Sequence, residues 1–139
     1  MKILERQATT FGGRDGVIKD TQSGLELKLT KPQEMGGKLA KGTNPEELFS
    51  IGYSSCFASS IEFLLQSSKQ AYEDVEVTVT TSLVKDGNQG FKFEVLIDAR
   101  ISGVSKDIEK KYIDMAYQFC PYSKAIKGNV DVKIESKLT

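Results

Sequence analysis

Two cysteines are the residues of this 139-residue chain best suited to redox chemistry. Cys56 lies in the stretch GYSSCFASSIEFLLQ, residues 52–66, and Cys120 lies in QFCPYSKAIKGN, residues 118–129. The chain contains no histidine, so an imidazole cannot activate either thiol and a Cys/His zinc site lacks ligands. We therefore expect no bound metal.

The local sequence around each cysteine favours an unreactive thiol. A cysteine in a buried helix usually behaves as a small hydrophobic residue, and desolvation raises its pKa, which favours an inert Cys56. Cys120 precedes Pro121 near a predicted helix C-terminus, where the helix dipole disfavours a thiolate. A reactive thiol would need a fixed cation beside it, which an arginine can supply. The residues alone leave two interpretations open: a pair of core thiols, or a redox pair.

Arg14 is the arginine best placed to supply that charge. The chain has three arginines, Arg6, Arg14 and Arg100. Arg14 lies in GGRDG, residues 12–16, a sequence that predicts a tight turn between two strands. A tight turn would hold the backbone of Arg14 in a fixed position.

The composition is that of a soluble globular protein with a single domain, residues 1–139. Hydrophobic residues make up 39% of the chain and charged residues 27%, and 19 basic residues balance 19 acidic ones. This balance gives no electrostatic basis for binding nucleic acid or a membrane surface. The N-terminus lacks the apolar region of a secretory signal, and no segment approaches the run of about 20 apolar residues that spans a bilayer. We expect a cytoplasmic protein, in which a permanent structural disulfide is uncommon.

A strand and a glycine-rich connector follow the GGRDG turn. The segment LELKLT, residues 25–30, alternates apolar and polar side chains and predicts a half-buried strand. Residues 34–42 are rich in glycine, but they lack the Lys and Ser/Thr that follow the second glycine of a phosphate-binding Walker loop. We interpret this segment as a connector.

A long helix is predicted from Asn44 to about Gln70. Asn44 is a suitable N-cap, Pro45 suits the first helical position, and Glu47 completes a pattern like a capping box. Apolar side chains lie around much of the helix circumference, which is typical of a central helix.

A hairpin and a second helix are predicted next. Residues 75–85 and 91–101 both alternate in hydrophobicity and are joined by DGNQG, which predicts a hairpin with one covered face. Residues 105–119 have apolar side chains at helical spacing. This helix should end near Cys120, because Pro121 disfavours the α conformation in the residue before it.

The last segment, VDVKIESKL at residues 130–138, alternates as a strand. The order of strands, long helix, hairpin, helix and strand indicates an α+β fold in which helices pack against largely antiparallel sheet.

Stretches at both ends and in the middle of the chain resemble the organic hydroperoxide resistance (Ohr) family, a branch of the OsmC/Ohr group of thiol peroxidases. They are GGRDG (12–16), GTNPEELFSIGYSSCF (42–57) and CPYSKAIKGNVDV (120–132). They occur in the order of the family and at similar spacing. The resemblance implies an OsmC/Ohr-like fold, with antiparallel sheets around a long central helix in an intertwined homodimer.

The resemblance also implies catalytic roles. Cys56 matches the peroxidatic cysteine, which attacks the O–O bond and becomes a sulfenic acid, and Cys120 matches the resolving cysteine, which condenses with it to a disulfide. Arg14 matches the arginine that stabilises the thiolate and orients the peroxide, and Glu46 matches the carboxylate that holds this arginine. Family members are reduced by the dithiol of a lipoylated protein and use no bound cofactor or metal.

Aromatic side chains are expected to form an apolar approach to Cys56. They are Phe49, Tyr53, Phe57, Phe119 and Tyr122. Such a pocket suits alkyl or fatty-acid hydroperoxides better than hydrogen peroxide, and each ring alone is equally compatible with a place in the core. Tyr117 and Lys124 stand where the family often has histidine and asparagine, which bears on the substrate and removes no catalytic group.

The position of Glu46 allows two explanations of how the Arg14–Glu46 pair reaches Cys56. In an unbroken helix it lies about 15 Å along the axis from Cys56, so the Arg14–Glu46 pair comes from the other subunit, or the helix breaks near Gly52.

The alternatives in function are an OsmC-type peroxidase with broader activity and a non-catalytic redox sensor or hydrophobic-ligand-binding module.

Overall fold

The computed structural model describes residues 1–20, 22–38 and 41–136. The chain divides into two compact units, Met1–Leu48 and Phe49–Thr139. The expectation that the whole chain forms a single domain stays a prediction.

The first unit contains a three-stranded antiparallel sheet. Its strands, in sheet order, are β1 (Thr9–Phe11), β2 (Val17–Lys19) and β3 (Glu26–Lys28). The turn predicted at residues 12–16 joins β1 to β2, and β3 confirms the strand predicted at residues 25–30 over its central part. Leu29 is buried and Leu25 is exposed, so the covered face of this segment is shorter than the alternation predicts.

The helix α1 (Pro45–Ser67) continues into the second unit, which also holds three strands and two further helices. They are β4 (Asp74–Lys85), β5 (Phe91–Ser102), α2 (Lys106–Phe119), α3 (Pro121–Ile126) and β6 (Asp131–Glu135). The hairpin is confirmed, with a register that pairs Asp74 with Ser102 and Lys85 with Phe91. The strand β6 pairs with β5 in the parallel direction, whereas β1 with β2, β2 with β3 and β4 with β5 pair in the antiparallel direction. The α+β class and the largely antiparallel sheet are both confirmed. The short helix α3 was not predicted, and residues 137–138 of the predicted last strand lie outside the described residues.

Side-chain hydrogen bonds cap the N-termini of both longer helices. The Glu47 backbone N–H donates to Asn44 Oδ1 at 2.7 Å, which confirms the N-cap of α1. The Glu47 carboxylate accepts a hydrogen bond from the Thr43 hydroxyl at 2.7 Å. In α2, the Ile108 backbone N–H donates to the hydroxyl of Ser105 at 3.3 Å. The start of each helix is therefore set by polar side chains that are adjacent in sequence.

The core of the second unit forms around α1. Its wholly buried side chains recur at four-residue spacing and so lie on one face. They are Tyr53, Phe57, Ile61 and Leu65. This face packs with buried side chains of β5 and α2, among them Ile97 and Tyr112. Ile51 and Phe63 remain 52% and 55% exposed, so α1 is central on one face and open on another, rather than buried all round.

The length and composition of α1 would also allow it to cross a membrane. The expectation that no segment approaches such a run is therefore wrong for this helix. A core helix passes the same test, however, and the complete burial of Phe57 and Ile61 among strands and α2 identifies α1 as a core helix.

Replacing Ile61 by alanine should lower the free energy of unfolding by about 2–5 kcal/mol, because it leaves a cavity in a closely packed core. Urea unfolding followed by circular dichroism measures the change. The matched control is Ile3→Ala, because Ile3 is 85% exposed, and it should change the free energy of unfolding by less than about 0.5 kcal/mol. Equal effects of the two substitutions would contradict the position of α1 in the core.

Candidate active site

The fold brings the two cysteines into contact. The Cys120 thiol donates a hydrogen bond to the Cys56 sulfur, with the two Sγ atoms 3.3 Å apart, and both residues are free thiols. A disulfide has an S–S length of about 2.05 Å, so the sulfurs need to approach by about 1.3 Å to form one. A small movement is therefore enough to join residues that are 64 positions apart in sequence.

The two thiols differ in accessibility. Cys56 is half-buried, whereas Cys120 is 0% exposed. The Cys120 N–H donates to the Ala116 carbonyl at 2.8 Å, and its own carbonyl accepts from the Lys124 N–H at 3.0 Å. Cys120 is therefore more closely packed than Cys56. Cys56 is the thiol that an incoming molecule reaches first.

Cys120 lies at the junction of α2 and α3. Its extended backbone, with φ −61° and ψ 125°, is the conformation favoured before a proline. This ends α2 at Phe119, as predicted, and lets α3 start at Pro121 in a new direction. A helix of six residues is too short to be stable alone, so contacts with the rest of the unit must hold α3 in place.

The first turn of α3 is held against α1 by closely fitting contacts. The Tyr122 ring lies over Gly52, where an added Cβ would be 2.4 Å from the phenol oxygen. The Tyr53 hydroxyl shares a hydrogen bond of 2.6 Å with the Ser123 hydroxyl, and both groups are buried. The glycine in α1 therefore lets the tyrosine ring approach the helix backbone this closely.

Burial raises the pKa of the Cys56 thiol, and the neighbouring Cys120 thiol adds to the rise. A hydrogen bond from the Tyr122 backbone N–H acts in the opposite direction, as does one from the Ser60 side chain. The balance leaves the pKa above the ordinary value for cysteine. A reactive thiolate at neutral pH would therefore need a cation beside it.

Arg14 and Glu46 form a two-point ion pair in the first unit. Arg14 Nη2 donates to Glu46 Oε1 at 2.7 Å and Nη1 donates to Oε2 at 3.0 Å. The hydrogen bonds with Arg14 lower the pKa of Glu46, and those with Glu46 raise the pKa of Arg14, so both groups are charged at neutral pH. The side chains are 32% and 17% exposed. Partial burial and a bidentate geometry fix the orientation of the guanidinium plane.

The turn that carries Arg14 is closed tightly, as predicted. An added Cβ on Gly16 would be 2.1 Å from the Phe11 carbonyl oxygen, so a larger residue does not fit there. Asp15 Oδ1 accepts a hydrogen bond from the Lys31 backbone N–H at 3.0 Å. The turn is thus tied to the segment that follows β3.

The helix α1 is continuous from Pro45 to Ser67. The alternative in which it breaks near Gly52 is therefore wrong. Arg14 and Glu46 belong to the first unit and the two cysteines to the second. The remaining alternative, an ion pair contributed by another subunit, stays a prediction.

Most of the predicted aromatic residues form a cluster. Phe49 stacks on Tyr53 with ring centroids 5.9 Å apart, and Tyr122 meets Tyr53 edge-on at 5.7 Å. Phe57 lies 6.2 Å from Tyr53, and both rings are wholly buried. Phe49 is half-buried and Tyr122 is 38% exposed, so these two form the accessible side of the cluster. Phe93 joins this cluster, with its ring centroid 5.0 Å from that of Phe49; the sequence predicts its strand but not this contact.

Phe119 makes a different contact from the other predicted rings. It is 42% exposed and stacks on Phe63 with centroids 5.3 Å apart. Sequence patterns assign no role to Ser123, which lies in the CPYS stretch, or to Ser60, one turn after Cys56. A serine within the short CPYS motif could have indicated a role for Ser123. Its partner, Tyr53, could not be predicted from neighbouring residues.

In the described part of the chain, no group of three or more metal-binding side chains comes together. The expectation that the protein uses neither a metal nor a bound cofactor stays a prediction.

Comparisons with a family model and with related sequences indicate the same family. The model of a family described as OsmC-like protein matches residues 36–135. The chain is 40% identical over 125 residues to Organic hydroperoxide resistance protein-like 2 of Staphylococcus epidermidis, an alignment that covers 89% of this chain and 88% of that protein.

Solved structures of similar proteins have the same fold as this chain. The crystal structure of an organic hydroperoxide resistance protein OsmC from Legionella pneumophila matches with a TM-score of 0.94 and 38% identity, over 99% of this chain and 100% of that one. OhrB of Bacillus subtilis matches with a TM-score of 0.86 and 34% identity, over 96% and 98% of the two chains. The chain therefore has the OsmC/Ohr fold and belongs to the organic hydroperoxide resistance family of the OsmC/Ohr group.

Proposed function

We propose that this protein is a cysteine-dependent organic hydroperoxide reductase. The observation that carries the proposal is the 3.3 Å contact between half-buried Cys56 and wholly buried Cys120. The family adds support, because its curated relatives are named for organic hydroperoxide resistance. An accessible thiol backed by a second thiol is suited to reduce a peroxide and to end as a disulfide.

In the proposed reaction, the Cys56 thiolate attacks one oxygen of the hydroperoxide. An S–O bond forms while the O–O bond breaks, so the peroxide is reduced, the sulfur is oxidised to a sulfenic acid, and the alkoxide takes up a proton and leaves as an alcohol. The Cys120 sulfur then attacks the sulfenic sulfur. The S–S bond forms as the S–O bond breaks, and the oxygen leaves as water. A lipoyl-type dithiol restores both thiols by thiol–disulfide exchange.

Arg14 is proposed to supply the positive charge that Cys56 requires. The guanidinium has five N–H donors, and its two bonds to Glu46 leave others for the thiolate and the peroxide. Glu46 fixes the orientation of those donors. We assign the pair to the second subunit of a homodimer, because ten residues of continuous helix carry Glu46 about 15 Å along the axis from Cys56 of its own chain.

Bulky organic substrates, such as alkyl and fatty-acid hydroperoxides, are proposed from the aromatic cluster. The accessible rings of Phe49 and Tyr122 offer apolar surface on the same unit as Cys56. A lipoylated protein is the proposed reductant and the cytoplasm the proposed compartment, where free thiols are kept reduced.

The function is tested with a bulky alkyl hydroperoxide and dihydrolipoamide as reductant. Wild-type protein should consume peroxide over many turnovers, and Cys56→Ser should reduce the rate to background, because it removes the nucleophile. Cys120→Ser should react once and then stall when the dithiol is limiting. A wild-type protein that forms the Cys56–Cys120 disulfide once, without turnover, would instead be a redox sensor. Absence of any peroxide consumption would refute the proposal and favour a ligand-binding module.

Arg14→Gln should lower kcat/KM at neutral pH by about 100-fold or more, which is typical for loss of a charge-stabilising donor. It should also shift the pH–rate profile to higher pH. The Cys56 pKa is already raised by burial, so without the cation the thiolate becomes the main form only at a pH above that pKa. The control Arg100→Gln replaces an exposed arginine and should leave the profile unchanged. An unaltered profile in Arg14→Gln would contradict its role.

Mixed subunits test whether the ion pair acts across the dimer. Cys56→Ser subunits should be inactive alone and Arg14→Gln subunits strongly impaired, but a mixed dimer combines an intact Cys56 on one chain with an intact Arg14 on the other. Partial recovery of peroxide consumption after mixing is expected. If both preparations exchange subunits and the mixture stays inactive, the pair acts within its own chain.

A further inference from the structure

We propose that the hydrogen bond between Tyr53 and Ser123 positions Cys120 for disulfide formation. The inference rests on the proposed function and deepens it, because it assigns control of the second chemical step. Tyr53 and Ser123 act through the position of Cys120, so they are positioning residues.

The hydroxyl pair connects the same two elements as the thiol pair. Tyr53 lies three residues before Cys56 in α1, and Ser123 lies three residues after Cys120 in α3. Each separation is about one helical turn. The hydroxyl oxygens are 2.6 Å apart and the sulfurs 3.3 Å apart. One turn of α1 therefore contacts the start of α3 at two points, the hydroxyl pair and the thiol pair.

Burial makes the hydroxyl pair a firm connection. Tyr53 is 0% exposed and Ser123 is 1% exposed, so neither hydroxyl can exchange its partner for bulk water. Burial also raises the pKa of Tyr53 to about 12, so its hydroxyl stays protonated across the working pH range. Removing either hydroxyl leaves the other buried without this partner, which favours a shift of α3 that lets it find another.

A shift of α3 would move Cys120 directly. The Cys120 carbonyl accepts a hydrogen bond from Lys124 inside α3, and its sulfur must close on Cys56 by about 1.3 Å to bond. A misplacement of reacting groups by about 1 Å can cost about 100-fold in rate. The hydroxyl pair therefore sets how fast the two sulfurs join.

The step at issue is the attack of the Cys120 sulfur on the Cys56 sulfenic acid. The S–S bond forms, the S–O bond breaks, and water leaves with the proton of the Cys120 thiol. The Cys56 sulfur is reduced and the Cys120 sulfur is oxidised, so the step needs no outside reductant. The preceding attack of Cys56 on the peroxide does not use Ser123.

Single-turnover experiments separate the two steps. Reduced protein is mixed with one equivalent of cumene hydroperoxide, peroxide loss reports the first step, and labelling of the sulfenic acid by dimedone reports its lifetime. Ser123→Ala should consume peroxide at the wild-type rate and close the disulfide about 10- to 100-fold more slowly. The sulfenic acid should then persist, and excess peroxide should convert more of Cys56 to sulfinic acid.

Two further variants make the test specific. Tyr53→Phe keeps the ring and should slow closure by the same factor as Ser123→Ala, and the double variant should be no slower than either single variant, because all three lose one bond. The control Tyr72→Phe removes a tyrosine hydroxyl that accepts from Gln66 at 3.0 Å elsewhere in the unit and should close at the wild-type rate.

Closure at the wild-type rate in Ser123→Ala or Tyr53→Phe would overturn the inference. So would an equal slowing of both steps in Ser123→Ala, which would indicate a general structural defect. A wild-type protein that consumes no peroxide would refute the proposed function and this inference with it. That result differs from a wild type that turns over while its variants close normally.

Discussion

Residues 120–123 pack against residues 52–56 of α1, and the distance between the two thiols depends on this contact. The helix α3 has only six residues, so its position comes from the surface it lies on and not from its own hydrogen bonds. A glycine under a tyrosine ring, a buried pair of hydroxyls and the two sulfurs share that surface. Packing and redox geometry are therefore set by the same side chains.

The contact has an electrostatic cost. Burial that brings the sulfurs within 3.3 Å also raises the pKa of Cys56, so a geometry suited to disulfide closure opposes formation of the thiolate. A fixed cation can reverse that shift. The Arg14–Glu46 pair has the required rigidity, because it is bidentate and partly buried and because a tight turn holds Arg14. In the proposed mechanism, one subunit supplies the thiols and the other subunit supplies the positive charge.

Two departures from the family pattern leave this contact intact. The Lys124 side chain is exposed, and its backbone N–H makes the hydrogen bond to the Cys120 carbonyl. Any residue other than proline could provide that N–H. Tyr117 is partly buried against the core of the second unit. Neither substitution removes a group that holds the thiols together.

Local sequence determined the parts of this protein that depend on neighbouring residues. Asn44 caps the start of α1, Pro121 stops α2 before it, and alternating side chains predict the strands. Capping, proline geometry and strand periodicity each act over only a few residues. The cysteines and the Arg14 turn could be singled out by residue type in the same way. Their roles came from the family resemblance, since the residues alone left inert and reactive thiols equally open.

The tertiary structure decided how these parts meet. The short helix α3, the Tyr53–Ser123 bond and the approach of Cys120 to Cys56 could not be read from local patterns. The hydroxyl pair joins residues 70 positions apart and the thiol pair residues 64 positions apart, so both depend on how α1, α2 and α3 pack together. Sequence alone supplied the reactive groups and the elements that carry them. Only packing set the distance between the sulfurs, because that distance results from contacts between segments that no local preference connects.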